Sequence, residues 1–119
     1  MNPELSSFIA SSFHSVWALE LLLLLKSEQR KWSPDELITA LRASDLVLSQ
    51  AIGALVRAGL ITADQSGVSY APASEGIARL VEHTERAYAS KPDAVRRTIV
   101  MTSKSGIAAF ADAFRLRKD

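Results

Sequence analysis

Residues 44–60, SDLVLSQAIGALVRAGL, constrain the fold of this chain more than any other stretch. Leu48, Ile52 and Leu55 recur at helical spacing and predict one buried face, while Gly59 is the residue type that most readily takes the left-handed conformation ending a helix. Ser44 is placed to cap the first free amides, and Asp45 falls where the positive end of the helix dipole favours an acid. The pattern predicts a helix of about fourteen residues. Directly after it, Leu60-Ile61-Thr62, a polar turn over 63–67 and Val68-Ser69-Tyr70 predict strand, turn, strand.

Upstream, Ser33-Pro34-Asp35-Glu36 puts a hydroxyl at the N-cap, proline at the first helical position and Glu at the third, the pattern of a capping box. A helix is predicted from Pro34 to about Arg42, turning Leu37, Ile38 and Leu41 inward. Only Ala43 then separates it from the Ser44 cap, so the two helices form a helix-turn-helix. Before them, residues 13–26 read FHSVWALELLLLLK, with Glu20 as the single polar residue between Val16 and Leu25. Ten such residues are about half the ~20 needed to span a bilayer. The flanks are also wrong for a signal peptide, with Glu4 and no base ahead of the apolar run.

Leucines at 21–25 cover every side of a helix, and such a helix has to be enclosed from more than one side. The sequence assigns part of that enclosure to the C-terminal segment or to a second subunit. Glu20 is expected to face solvent or to meet an Arg of the C-terminal helix. Trp17 and Trp32 read as core and edge packing, and residues 1–12 as a lead-in, at most the beginning of a helix.

After the hairpin, Ser74-Glu75 predicts a helix with Ile77, Leu80, Val81, Thr84 and Tyr88 inward and His83 exposed. Pro92-Asp93 opens another, with Val95, Ile99 and Thr102 inward. Ser103 to Gly106 interrupts it, and Ile107, Phe110, Ala111 and Phe114 mark a last amphipathic helix. The chain of 119 residues accommodates one domain plus an extension. The expected division is 1–88 for the domain and 89–119 for a helical extension that packs or dimerises.

The composition, 48% apolar and 23% charged, is that of a folded globular protein. With no Cys, disulfides and Cys-ligated metals are excluded, and the expected compartment is the cytoplasm. Two His make no metal site, and no cofactor is expected. There is no G-x-S-x-G, no glycine-rich phosphate loop and no H-E-x-x-H, which leads to the expectation of a non-enzyme.

The order helix, capped helix, tight turn, helix ending in Arg57-Ala58-Gly59-Leu60-Ile61, hairpin, helix resembles the winged helix-turn-helix fold of bacterial transcriptional regulators of the MarR and ArsR type. The expected fold class is mainly α with a small β-hairpin. The resemblance implies duplex DNA as partner, read by Ser49, Gln50, Gly53 and Arg57 of the third helix, with a wing tip at 64–67.

Charge qualifies that implication. Between residues 33 and 70 the bases are Arg42 and Arg57 and the acids are Asp35, Glu36, Asp45 and Asp64, whereas Arg115, Arg117 and Lys118 belong to a strongly basic C-terminal stretch. Most DNA affinity comes from bases neutralising phosphates, so these C-terminal residues are the expected phosphate contacts. A second reading assigns Leu46 and Val47 to contact with a protein partner. A homodimer, with an interface in 16–25 or 107–114, is expected in either case.

Overall fold

The computed structural model describes residues 2–101. In chain order the elements are α1 (Pro3–Ser12), α2 (Val16–Ser27), α3 (Pro34–Leu41), α4 (Asp45–Arg57), β1 (Ile61–Asp64), β2 (Gly67–Tyr70) and α5 (Glu75–Ser90). A sixth helix, α6, occupies 92–101. The architecture is mainly helical with one antiparallel hairpin. The interruption at 103–106, Thr102 and the expected helix through Ile107 and Phe114 lie outside the described residues.

Residues 1–12 hold more order than a lead-in. Asn2 caps α1 by accepting the Leu5 amide at 2.7 Å, Pro3 follows at the first helical position, and Leu5, Ile9 and Phe13 form a buried stripe. Phe8 and Phe13 meet edge to face with centroids 6.0 Å apart. The chain then bends by 100° into α2, which Ser15 caps by accepting the Ala18 amide.

Helix α2 is the centre of the molecule, with α3, α4 and β2 packed on it. Leu19, Leu21, Leu22 and Leu25 are each completely buried, and Leu23 and Leu24 are half-buried. The enclosure that the sequence assigned in part to the C-terminal segment or to a second subunit is supplied for these four leucines by elements of the described chain. Helix α6 adds Val95 and Ile99 to the same core, and the expected boundary at residue 88 falls inside α5.

Polar links fasten α2 to the C-terminal helices. The Tyr88 hydroxyl donates to Glu20 Oε2 at 2.6 Å, and Arg96 reaches the same hydroxyl at 3.3 Å while lying over the Tyr88 ring. Among the described residues Glu20 is bonded to Tyr88 and not to an Arg, and the last helix, from which an Arg was expected, lies outside them. One turn earlier in α5, Glu85 accepts from Lys26 at 2.8 Å.

Between α2 and α3, Trp32 pairs with Val68, each amide donating to the other's carbonyl at 2.8 Å. The hairpin thereby gains a third, one-residue strand. This closeness explains Gly67, whose φ is 135° and whose hypothetical Cβ would lie 2.9 Å from the Trp32 carbonyl oxygen.

Candidate nucleic-acid interface

Helices α3 and α4 are set by the caps that their sequence encodes. Ser33 and Glu36 form the capping box in full, and Ser44 accepts the Val47 amide at 3.1 Å. The turn between them holds Arg42 in the left-handed region at φ 56°, an uncommon conformation for a residue with a side chain. At the far end of α4, Leu60 N–H bonds Leu55 C=O and Gly59 N–H bonds Val56 C=O, both at 3.0 Å, with Gly59 at φ 77°. That is the Schellman arrangement, and its companion apolar contact is made by the buried Leu55 and Leu60.

The buried face of α4 is Leu48, Ala51, Ala54 and Leu55. Ile52, expected in the core, is half-buried, and it lines a shallow groove with Pro34, Ile38 and Ser49 on the α3 side. The reason is the packing of α2 on α4, which uses the small side chains Ala51 and Ala54 and rotates the bulkier Ile52 to the flank.

Opposite the core, Leu46, Gln50, Gly53 and Arg57 fall on one ridge of α4 by their i, i+4, i+7, i+11 spacing. Leu46 is 66% exposed, and Gln50 and Arg57 are exposed. The Arg57 guanidinium folds back along the helix, so that a Cβ at Gly53 would stand 3.3 Å from its Nη1. Ser49 is exposed on the α3 flank. Val47 is half-buried on the α2 flank, where it shares a groove of about 170 Å³ with Gln50, His14 and Trp17. The four expected DNA-reading residues and Leu46 therefore belong to one continuous surface, with Val47 at its edge.

The hairpin turn is tighter than expected. Asp64 pairs with Gly67, leaving Gln65 and Ser66 as the tip. The Asp64 carboxylate accepts from the Ser66 hydroxyl and amide and from Lys31 Nζ at 3.3 Å. These donors, the Ser66 hydroxyl foremost, bring its pKa down to about 2. Lys31 is thus engaged by an acid. Arg30 is engaged likewise, bridging Glu28 and Glu36 while its guanidinium lies 3.7 Å above the Trp32 ring. Arg42 and Arg57 make no ion pair among the described residues and are the bases left open on this side. Arg115, Arg117 and Lys118 lie outside the described residues.

Sequence reasoning placed Trp17 in the core, yet it is 40% exposed. The signal is its spacing of three from Glu20, which puts the indole on the same face of α2 as the one polar residue of the apolar run 16–25. Among the described residues no group of three His, Asp or Glu is placed to hold a metal, and no single helix is long and apolar enough to cross a membrane. Compared with family models, curated proteins and solved structures, the chain matches none of them.

Proposed function

We propose that this chain is a small, non-enzymatic transcriptional regulator of the winged helix-turn-helix type, binding duplex DNA as a homodimer with α4 in the major groove and the hairpin beside it. The observation that carries this reading is the open ridge of α4, where Gln50 and Arg57 stand exposed next to Ser49 with no other element of the described chain over them. Gln50 has the amide that pairs bidentately with adenine, and Ser49 can donate to a phosphate or a base edge. Gly53 lets the Arg57 guanidinium lie close along the helix. Since Lys31 and Arg30 are occupied by acids, Arg115, Arg117 and Lys118 supply the phosphate contacts that Arg42 and Arg57 leave short.

A salt-titrated gel shift tests this. The logarithm of affinity should fall with the logarithm of salt concentration at about 0.9 per phosphate neutralised. Replacing Arg115, Arg117 and Lys118 by Ala should weaken all sequences alike and flatten that slope, whereas Gln50→Ala should relax sequence preference by ~1–3 kcal/mol. Absence of a salt-dependent shift on genomic duplexes would remove the regulator reading.

The exposure of Leu46 favours a second reading, a protein-interaction module on the same fold. An aliphatic side chain 66% exposed on the ridge contributes nothing to phosphate binding and fits an apolar partner. Under that reading Leu46→Asp with Val47→Asp abolishes partner binding in a folded domain, and DNA affinity is negligible from the start.

A further inference from the structure

We propose that the groove between α2 and α3 is a binding site for a small organic cation, an ammonium ion carried on an apolar or aromatic body. Val16, Trp17 and Glu20 of α2 and Ala40 and Leu41 of α3 line it, and its volume of about 370 Å³ suits a molecule of modest size. The inference does not depend on whether α4 reads DNA.

Three features point to positive charge. Trp17 is 40% exposed and lines this groove as well as the one beside Val47, and an indole ring attracts cations through its quadrupole. Glu20 lies three residues along the same helix face and is half-buried, yet it makes no ion pair among the described residues. Its Oε2 accepts from Tyr88, whose hydroxyl in turn accepts from Arg96 at 3.3 Å, so that this guanidinium reaches the carboxylate only through the hydroxyl, and Oε1 accepts no hydrogen bond among the described residues. Ala40 and Leu41 bring the C-terminal end of α3 to the groove, where the helix dipole is negative. Arg42 follows immediately, but it forms no ion pair with Glu20.

The apolar part of the lining, Val16, Ala40 and Leu41 with the indole, selects a cation with a hydrocarbon body over a hydrated metal ion. The arrangement of an aromatic face, one carboxylate and a helix C-terminus is chemically matched to an alkylammonium head: attraction through the ring, a charge-assisted hydrogen bond to the free carboxylate oxygen, and backbone carbonyl dipoles behind.

The test follows the two indole N–H resonances by NMR while 2-phenylethylammonium chloride is added to the full chain, with 2-phenylethanol as the uncharged counterpart. The amine should shift the Trp17 signal saturably and leave that of Trp32, which is bonded to the Glu28 carbonyl, in place. Glu20→Gln keeps an acceptor for Tyr88 and should weaken the amine by about tenfold or more. Trp17→Leu, at an exposed position, should abolish binding as followed on backbone amides of Ala40 and Leu41, and it serves as the deciding variant if Glu20→Gln unfolds. Equal responses to amine and alcohol, undiminished binding in the variant lacking the carboxylate or the indole, or no saturable shift at all would each overturn the proposal.

Discussion

Helix α2 buries Leu19, Leu21, Leu22 and Leu25 completely, whereas α4, of nearly the same length, leaves Leu46 66% exposed on its outer ridge. Both helices are rich in apolar residues, so composition does not separate them. The difference lies in what surrounds them: α2 is covered by α3, α4 and β2, while the outer face of α4 has no neighbour in the described chain. One helix has its surface determined by the fold, and the other keeps a surface available for something else. An apolar side chain in the first setting contributes stability, and in the second it contributes affinity.

The strongest attempt to break that contrast is a pair of truncations. Leu22→Ala should cost ~2–5 kcal/mol through lost burial and a cavity, while Leu46→Ala should change stability by less than about 0.5 kcal/mol. Denaturant melts compare the two directly, and similar losses would mean that α4 is covered in solution. Next in size, Gly67→Ala should cost ~1–3 kcal/mol, because the backbone conformation is one that side chains avoid and the new methyl would press on the Trp32 carbonyl. A melt that is unchanged would show the hairpin to be less firmly joined to the α2 side than the pairing indicates.

Tyr88→Phe probes the one polar residue within the apolar run of α2. Removing the hydroxyl leaves Glu20 without its bonded donor and should cost ~1–2 kcal/mol, seen as a shift of the denaturation midpoint at constant slope. The smallest effect is expected at the hairpin tip, which is fully solvated. The Asp64 pKa is lower in the folded chain than its ordinary 3.8, so its bonding to Ser66 and Lys31 supports the folded state above pH 3.8 and is lost as pH falls through about 2. Carboxyl-carbon NMR should place the Asp64 midpoint near 2, and Ser66→Ala should move it back toward the ordinary value.

Much of this was legible in the sequence wherever the determinant is local. Ser33, Ser44 and Ser74 each cap the helix they were expected to cap, and Gly59 takes the conformation that its position demanded, because caps and turns depend on a few adjacent residues. The inward assignments of Leu48, Leu55, Val95 and Ile99 hold for a similar reason, since periodicity exposes a single face.

What periodicity misses is which of two neighbouring apolar positions a partner helix selects. Ala51 lies inward and Ile52 on the flank because α2 packs against the smaller residue, and nothing within α4 records that choice. Trp17 was misplaced on the same account, its size taken as a sign of burial. In α1 the signal was present in Asn2-Pro3 and in the spacing of Leu5 and Ile9, but the neighbouring serines obscured it. For the candidate site, the exposure of Ser49, Gln50 and Arg57 followed from the helix register, whereas the engagement of Lys31 by Asp64 depended on the hairpin returning to the α2–α3 connection.

That return has a kinetic side. The Trp32–Val68 pairing closes a loop containing the whole of α3 and α4, so its entropy cost is met only once those helices have docked on α2. A two-stranded hairpin by itself is at best marginally stable in water. The hairpin should accordingly be among the last elements to form and the first to open, with a peptide of residues 60–71 unstructured by circular dichroism. The same covalent order makes the tip's position a report on the body of the protein: a change in how α3 and α4 sit on α2 reaches the hairpin through the Trp32–Val68 pair, the packing of β2 on α2 and the Lys31–Asp64 contact, which together join the solvated edge to the apolar interior.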